Sequence, residues 1–180
     1  MKIQVADLEF EPFIASDEIA KRVRVIGEQL NVDYKHTIPL FIGVLNGSFI
    51  FIADLVKHVT IPCEITFTKL ASYYGGLSST GKIRDDFDLN VNIEGRHIIL
   101  IEDIVETGNT LNYLIDKLEV RKPASISVCT LLLKKSELKT PIVELKYTGF
   151  EIDNDYVIGY GLDYHELGRN LKEIYRKVSE

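Results

Sequence analysis

An α/β fold with a mainly parallel, twisted sheet flanked by helices is predicted by three features of this 180-residue chain. Apolar, strand-like runs alternate with helical stripes, and the connections between them are short. Residues 38–45 and 98–101 are apolar throughout and residues 125–133 largely so, as strands covered on both faces should be. The second of these runs leads straight into Glu102, Asp103 and Glu106 and then into the small polar turn Thr107, Gly108, Asn109, Thr110. Ligands of open α/β sheets bind at such strand ends.

Each element has a local reason. Ser16 is placed to cap a helix whose first turn carries Asp17 and Glu18, and Ile19, Val23, Ile26 and Leu30 form one apolar stripe along it. Residues 38–45 read as a buried strand, residues 48–58 as a helix capped by Ser48, and residues 61–70 as a strand with Ile61, Cys63, Ile65 and Phe67 on one face. Residues 71–84, dense in Gly, Ser, Thr and Tyr, break the rhythm and read as a lid. After the acidic strand, Leu111, Leu114, Ile115 and Leu118 recur at helical spacing until Pro123 enforces a stop, and residues 125–133 form another strand ending at Lys134 and Lys135. From about residue 141 the pattern changes to short strands and a brief helix starting near Asn170. No linker or repeat marks a second domain, so residues 1–180 read as one domain with a terminal flap.

Composition narrows the function classes. A net charge of −6 provides no electrostatic footprint for nucleic acid. Cys63 and Cys129 sit far apart in apolar stretches, which fits buried thiols in a reducing cytoplasm better than a disulfide or metal site. The amino terminus has no apolar core of a secretion signal. Ile38 to Val56 is apolar enough to suggest a membrane span, but Asn46, Gly47 and Ser48 interrupt its centre, and strand, turn and helix explain it better.

The segment Ile101 to Thr110 therefore sets three carboxylates beside a turn whose backbone N–H groups could cradle a phosphate at a helix N-terminus. Acids and an anion site should repel each other. Their juxtaposition suggests a ligand with both phosphate and hydroxyl groups, or one carrying Mg2+ between the two.

That segment, IEDIVETGNT, resembles the phosphoribosyl-pyrophosphate (PRPP) signature of type I phosphoribosyltransferases. Four further segments, LNGSFIFIADL at 45–55, ASYYGGLSSTGKIR at 71–84, LLLKK at 131–135 and DYVIGYGLDYHELGRNL at 155–171, resemble the corresponding parts of hypoxanthine-guanine phosphoribosyltransferases. The likeness covers nearly the whole chain in the right order. It implies the type I phosphoribosyltransferase fold, with residues from about 141 to 180 and the N-terminal segment forming a hood over a purine site. It also implies transfer of ribose 5-phosphate from PRPP to N9 of hypoxanthine or guanine, giving IMP or GMP and pyrophosphate.

By the same resemblance, Glu102 and Asp103 would accept hydrogen bonds from the ribose hydroxyls, and Thr107, Gly108, Asn109 and Thr110 would wrap the 5'-phosphate. Glu106 stands where the family typically has Asp, as the base that takes a proton from purine N7; the extra methylene matters because proton transfer depends first on geometry. A purely electrostatic role and a helix-capping role are the competing readings of Glu106. Lys134 would donate to the purine 6-oxo oxygen, Tyr156 would stack on the ring, and the Val157 backbone would read its edge. An ammonium only donates hydrogen bonds, so Lys134 favours a keto oxygen over the amino group of adenine.

The cofactor implied is Mg2+, held through water by Asp163, with Glu102 and Asp103 as further acids on the metal side. Asn46, Gly47 and Ser48 would meet pyrophosphate through the backbone, with a cis peptide ahead of Gly47, and Arg169 would meet it by side chain. Ser72 and Tyr73 would close the lid over PRPP. The partners implied are PRPP, the base, the product nucleotide and other copies of the chain in a homodimer or homotetramer, with the Asn46 loop and the helix after Ser48 as interface elements. The alternatives are a xanthine-preferring enzyme, since the purine C2 position is read by backbone groups, and a PRPP-sensing regulatory relative that binds nucleic acid.

Overall fold

The chain begins with an antiparallel hairpin, β1 (Ile3–Val5) and β2 (Leu8–Ile14), turned at Ala6, whose φ is a left-handed 50°. The computed structural model describes residues 1–69 and 89–178. The expected lid, including Ser72 and Tyr73, lies outside the described residues.

Helix α1 (Ser16–Asp33) comes next and buries Ile19, Val23, Ile26 and Leu30, the stripe read from the sequence. Its cap differs from expectation. Ala15 holds the extended N-cap conformation and Ser16 is already helical, while Glu18 folds back so that its carboxylate accepts a bond from Ala15 N–H at 3.3 Å. The acid satisfies the helix start that the serine was expected to serve.

β3 (Leu40–Leu45) leads through a tight turn to α2 (Phe49–Leu55), continued by a 3-10 turn over Val56–His58. Ser48 is buried and makes no side-chain cap; its hydroxyl donates back to Val44 O at 2.6 Å, tying the turn to the strand it leaves. β4 (Glu64–Lys69) is shorter than the expected 61–70. Ile65 and Phe67 share a face as the alternation predicts, yet they are 45% and 44% exposed. β4 is an edge strand of the main sheet.

β5 (His97–Val105) and α3 (Asn109–Glu119) come after it, and α3 buries Leu111, Leu114, Ile115 and Leu118 as their spacing requires. β6 (Ser125–Leu133), β7 (Leu145–Glu151), β8 (Val157–Ile158) and β9 (Ile174–Lys177) complete the chain. The main sheet has the order β4-β3-β5-β6-β7, and every pairing in it is parallel. Ile98, Ile99, Leu100 and Ile101 in central β5 are all fully buried. Alternate residues serve the two faces: Ile99 and Ile101 join the cluster under α1 and α2, and Ile98 and Leu100 join the one under α3. Each such side chain contributes about 1.5–3 kcal/mol relative to exposure, so β5 is held firmly enough to present the acids at its carboxyl end. Among the described residues no helix is long and apolar enough to cross a membrane; Ile38 to Val56 is strand, turn and helix.

The C-terminal expectations need two corrections. β7 does not belong to the flap; it pairs with β6 and forms the edge of the main sheet. The helix expected near Asn170 is instead strand β9, which pairs with β2 on one side and β8 on the other. A short sequence with no fixed periodicity takes the conformation its distant partners supply. The second, antiparallel sheet, β1-β2-β9-β8, thus joins both chain ends.

Candidate active site

Parallel pairing brings the carboxyl ends of β3, β5 and β6 to one edge of the main sheet. β5 projects Glu102 and Asp103 there. Glu102 is only half-buried as a residue, but its Oε2 is sealed from solvent without a hydrogen-bond partner. Burial, together with the adjacent Asp103 carboxylate, holds the Glu102 carboxyl well above the usual carboxylate range. Asp103 is also raised by burial, with a counteracting pull from the Ile104 N–H, which donates to its Oδ1 at 2.9 Å, and from the positive charge of Arg169. Two adjacent, partly buried acids, one with an orphan oxygen, form a site that favours an incoming donor or cation.

Gly47 closes one side of this pair. A Cβ built on it would stand 1.6 Å from Asp103 Oδ2, so the carboxylate rests directly on the glycine backbone. The loop has a cis peptide, at Leu45–Asn46 rather than at the expected bond immediately ahead of Gly47. From the other side Gly161 approaches so closely that a Cβ on it would lie 2.0 Å from Gly47 O.

Just past the end of β5, Glu106 meets Lys134, the first residue after β6. Lys134 Nζ donates to Glu106 Oε1 at 2.5 Å and to Asn154 Oδ1 at 3.4 Å. Lys134 is 5% exposed although it carries an ammonium, and Glu106 remains partly open. The backbone positions the lysine too, through Lys134 N to Val105 O at 2.8 Å. The Glu106 carboxylate thus stands against the lysine. Lys135 points outward beside Glu151.

Residues 107–110 form the turn into α3. Gly108 takes a φ of 81°, open to glycine and costly for other residues. Thr107 Oγ1 accepts from Asn109 N at 3.4 Å, and Thr110 lies in the first helical turn. Thr107 O is bonded by Lys139 N, and a Cβ at Gly108 would stand 3.0 Å from Thr140 O, so the segment after Lys134 braces this turn.

Strand β8 and the loop segments beside it supply the remaining expected residues. Tyr156 is 40% exposed, with Tyr164 edge-on at 5.7 Å and Phe10 at 6.4 Å between ring centres. Val157 is buried in β8. Asp163 pairs with Arg169 at 2.7 Å and accepts from Glu166 N–H at 2.8 Å, while Arg169 also donates to Gly161 O at 2.9 Å. Among the described residues no three His, Cys, Asp or Glu converge as a metal cage. The residues that sequence reasoning missed are Asn154, second partner of Lys134, and Gly161. Asn154 sits in an acidic triplet with nothing local to mark it, whereas the Gly-Tyr-Gly spacing at 159–161 could have drawn notice to Gly161.

Buried acids and a glycine-led helix N-terminus at the carboxyl edge of a parallel sheet define the class: α/β proteins that bind phosphorylated sugars and nucleotides. The chain belongs to the phosphoribosyl transferase domain family, whose model matches residues 14–165. It is 42% identical over 170 residues to a hypoxanthine-guanine phosphoribosyltransferase of Streptococcus pyogenes, covering 91% of this chain and 94% of that one. It is 43% identical to the protein of that name from Bacillus subtilis, covering 89% of each. A crystal structure of a hypoxanthine phosphoribosyltransferase from Staphylococcus aureus superposes with a TM-score of 0.87 at 39% identity, over 93% of this chain and 91% of that one.

Proposed function

We propose that this phosphoribosyltransferase transfers ribose 5-phosphate from PRPP to N9 of hypoxanthine or guanine. The observation that carries the reading beyond family membership is the pair at the ends of β5 and β6. A carboxylate and a buried ammonium stand side by side, Glu106 Oε1 to Lys134 Nζ at 2.5 Å. A 6-oxopurine presents a matching edge, an N7–H donor beside an O6 acceptor. As N9 attacks C1', the bond from C1' to pyrophosphate breaks, and the N7 proton passes to Glu106. Lys134 holds O6 and Asn154 steadies Lys134. Tyr156 stacks on the base, with Val157 at its edge.

Glu102 and Asp103 take the ribose hydroxyls, and residues 107–110 hold the 5'-phosphate. Asn46, Gly47, Ser48 and Arg169 face the pyrophosphate. The orphan Glu102 Oε2 and the raised carboxyls fit a divalent cation brought with the substrate. Glu102, Asp103 and Asp163 would hold Mg2+ through its waters, and the ion would supply neutralisation of the leaving pyrophosphate. The free thiols of Cys63 and Cys129 fit a reducing cytoplasm. A homodimer or homotetramer would use α2 and the loop before it, where Phe49 is half-exposed.

Incubation with PRPP and Mg2+, with chromatography of the products, tests this on four bases. Nucleotide from hypoxanthine and guanine is expected, and none from adenine. Product from xanthine alone would move the assignment to a xanthine enzyme, and product from no base would defeat the reading.

A further inference from the structure

The turn that carries Gly161 toward Gly47 is anchored at a second point on the same helix. Residues 159–161 all have left-handed φ, 97° at Gly159, 51° at Tyr160 and 103° at Gly161. Glycine adopts such angles freely; a tyrosine there must be held by its surroundings. Tyr160 N donates to Leu171 O at 2.8 Å, and its ring lies in the buried cluster with Phe51, Ile52 and Leu55 of α2. Its hydroxyl donates to Asp54 Oδ2 at 2.7 Å, while Lys57 takes the other carboxylate oxygen, Oδ1, at 2.8 Å. Burial and the Asp54 acceptor push the Tyr160 phenol up, so it remains a donor.

Helix α2 therefore grips the turn at both ends. Gly47, two residues ahead of its first residue, packs its carbonyl against Gly161, and Asp54, in its last turn, accepts from Tyr160. Gly161 N donates to Arg169 O at 3.0 Å, Arg169 returns a bond to Gly161 O at 2.9 Å, and its guanidinium pairs with Asp163. A hydrophobic ring alone would fill the space under the turn, but only a directed bond fixes its rotation.

We propose that Tyr160 and Asp54 are a positioning pair for the pyrophosphate end of PRPP: their hydrogen bond orients the 161–169 turn so that Gly161 packs on Gly47 and Arg169, paired with Asp163, faces the Asp103 carboxylate. This rests on Asp163 and Arg169 serving pyrophosphate in the proposed function. Neither Tyr160 nor Asp54 touches the substrate.

The test compares Tyr160→Phe, Asp54→Ala and Asp54→Asn by steady-state kinetics in both directions. Tyr160→Phe and Asp54→Ala should each raise KM for PRPP and for pyrophosphate about tenfold. KM for hypoxanthine and kcat should stay within about twofold. The double variant should be no worse than either single, as for two ends of one bond. Asp54→Asn should retain the wild-type KM, since the amide oxygen still accepts. A purely structural role would lower thermal stability without this split. KM for PRPP unchanged in folded Tyr160→Phe, or Asp54→Asn as impaired as Asp54→Ala, overturns the proposal; if Tyr160→Phe does not fold, the two Asp54 variants decide. If the wild-type protein makes no nucleotide, the functional reading fails separately. Amide exchange then judges the pair: faster exchange at residues 160–164 in Tyr160→Phe supports it, and unchanged protection overturns it.

Discussion

A methyl group at Gly47 has no room. Its carbon would lie 1.6 Å from Asp103 Oδ2 and 2.4 Å from Asp103 Cγ, where ordinary contact begins near 3.5 Å. Either the carboxylate swings away or the loop retreats, and the shortfall is about 2 Å. Displacements of about 1 Å at a reacting centre cost on the order of a hundredfold. Gly47→Ala should therefore lose at least about a hundredfold in kcat/KM, equivalent to about 2.7 kcal/mol of transition-state stabilisation. Stability should fall little, because Asp103 is held up by burial and gains hydration if it swings out. The assay is PRPP-dependent conversion of hypoxanthine to nucleotide, with a thermal melt of the same preparation. Activity within threefold of wild type at an unchanged KM for PRPP would refute the close packing of Gly47 on Asp103 as a functional contact.

Glu106→Gln keeps the size of the side chain and removes the base, so turnover should fall by about 10²–10⁴ while PRPP binding, measured by calorimetry, persists; undiminished turnover would leave Glu106 a spectator. For pH, the Glu102 carboxyl is raised in the folded protein, so its stabilising contribution is complete below its unfolded value of 4.5 and is lost as pH rises through the raised folded value. Glu102→Gln should thus raise the thermal midpoint of the ligand-free protein at neutral pH, with the difference shrinking on acidification; a constant difference across pH would contradict the burial argument. Gly108→Ala imposes a Cβ on a φ of 81°, costing about 1–2 kcal/mol and lowering the midpoint by about 2–8 °C, with a weaker grip on PRPP; an unchanged melt would show that the turn relaxes freely.

Much of this architecture was legible from local patterns. The stripe of α1, the continuous apolar runs of β3 and of residues 98–101 in β5, the largely apolar β6, and the four buried leucine and isoleucine positions of α3 are set by periodicity, because burial on one side or two leaves a repeat of its own. The misses fell where another group competed. Ser48 turned its hydroxyl to Val44 O, and Glu18 served the helix start in place of Ser16. Ile65 and Phe67 alternate correctly yet stay half-exposed, since alternation records a face and not what covers it.

The order of acids, small turn and helix in residues 102–110 is a local arrangement, so sequence sufficed to locate a phosphate turn beside carboxylates and to identify the family it resembles. The reach of Glu106 to Lys134, the pressure of Asp103 on Gly47 and the seat of Gly161 on Gly47 O join residues from separate strands and from both sheets. No spacing encodes them. They arise because parallel pairing sets the ends of β3, β5 and β6 at one edge and because β9, whose short sequence favours no one conformation, takes its strand from β2 and β8 and so carries the C-terminal turn across the site.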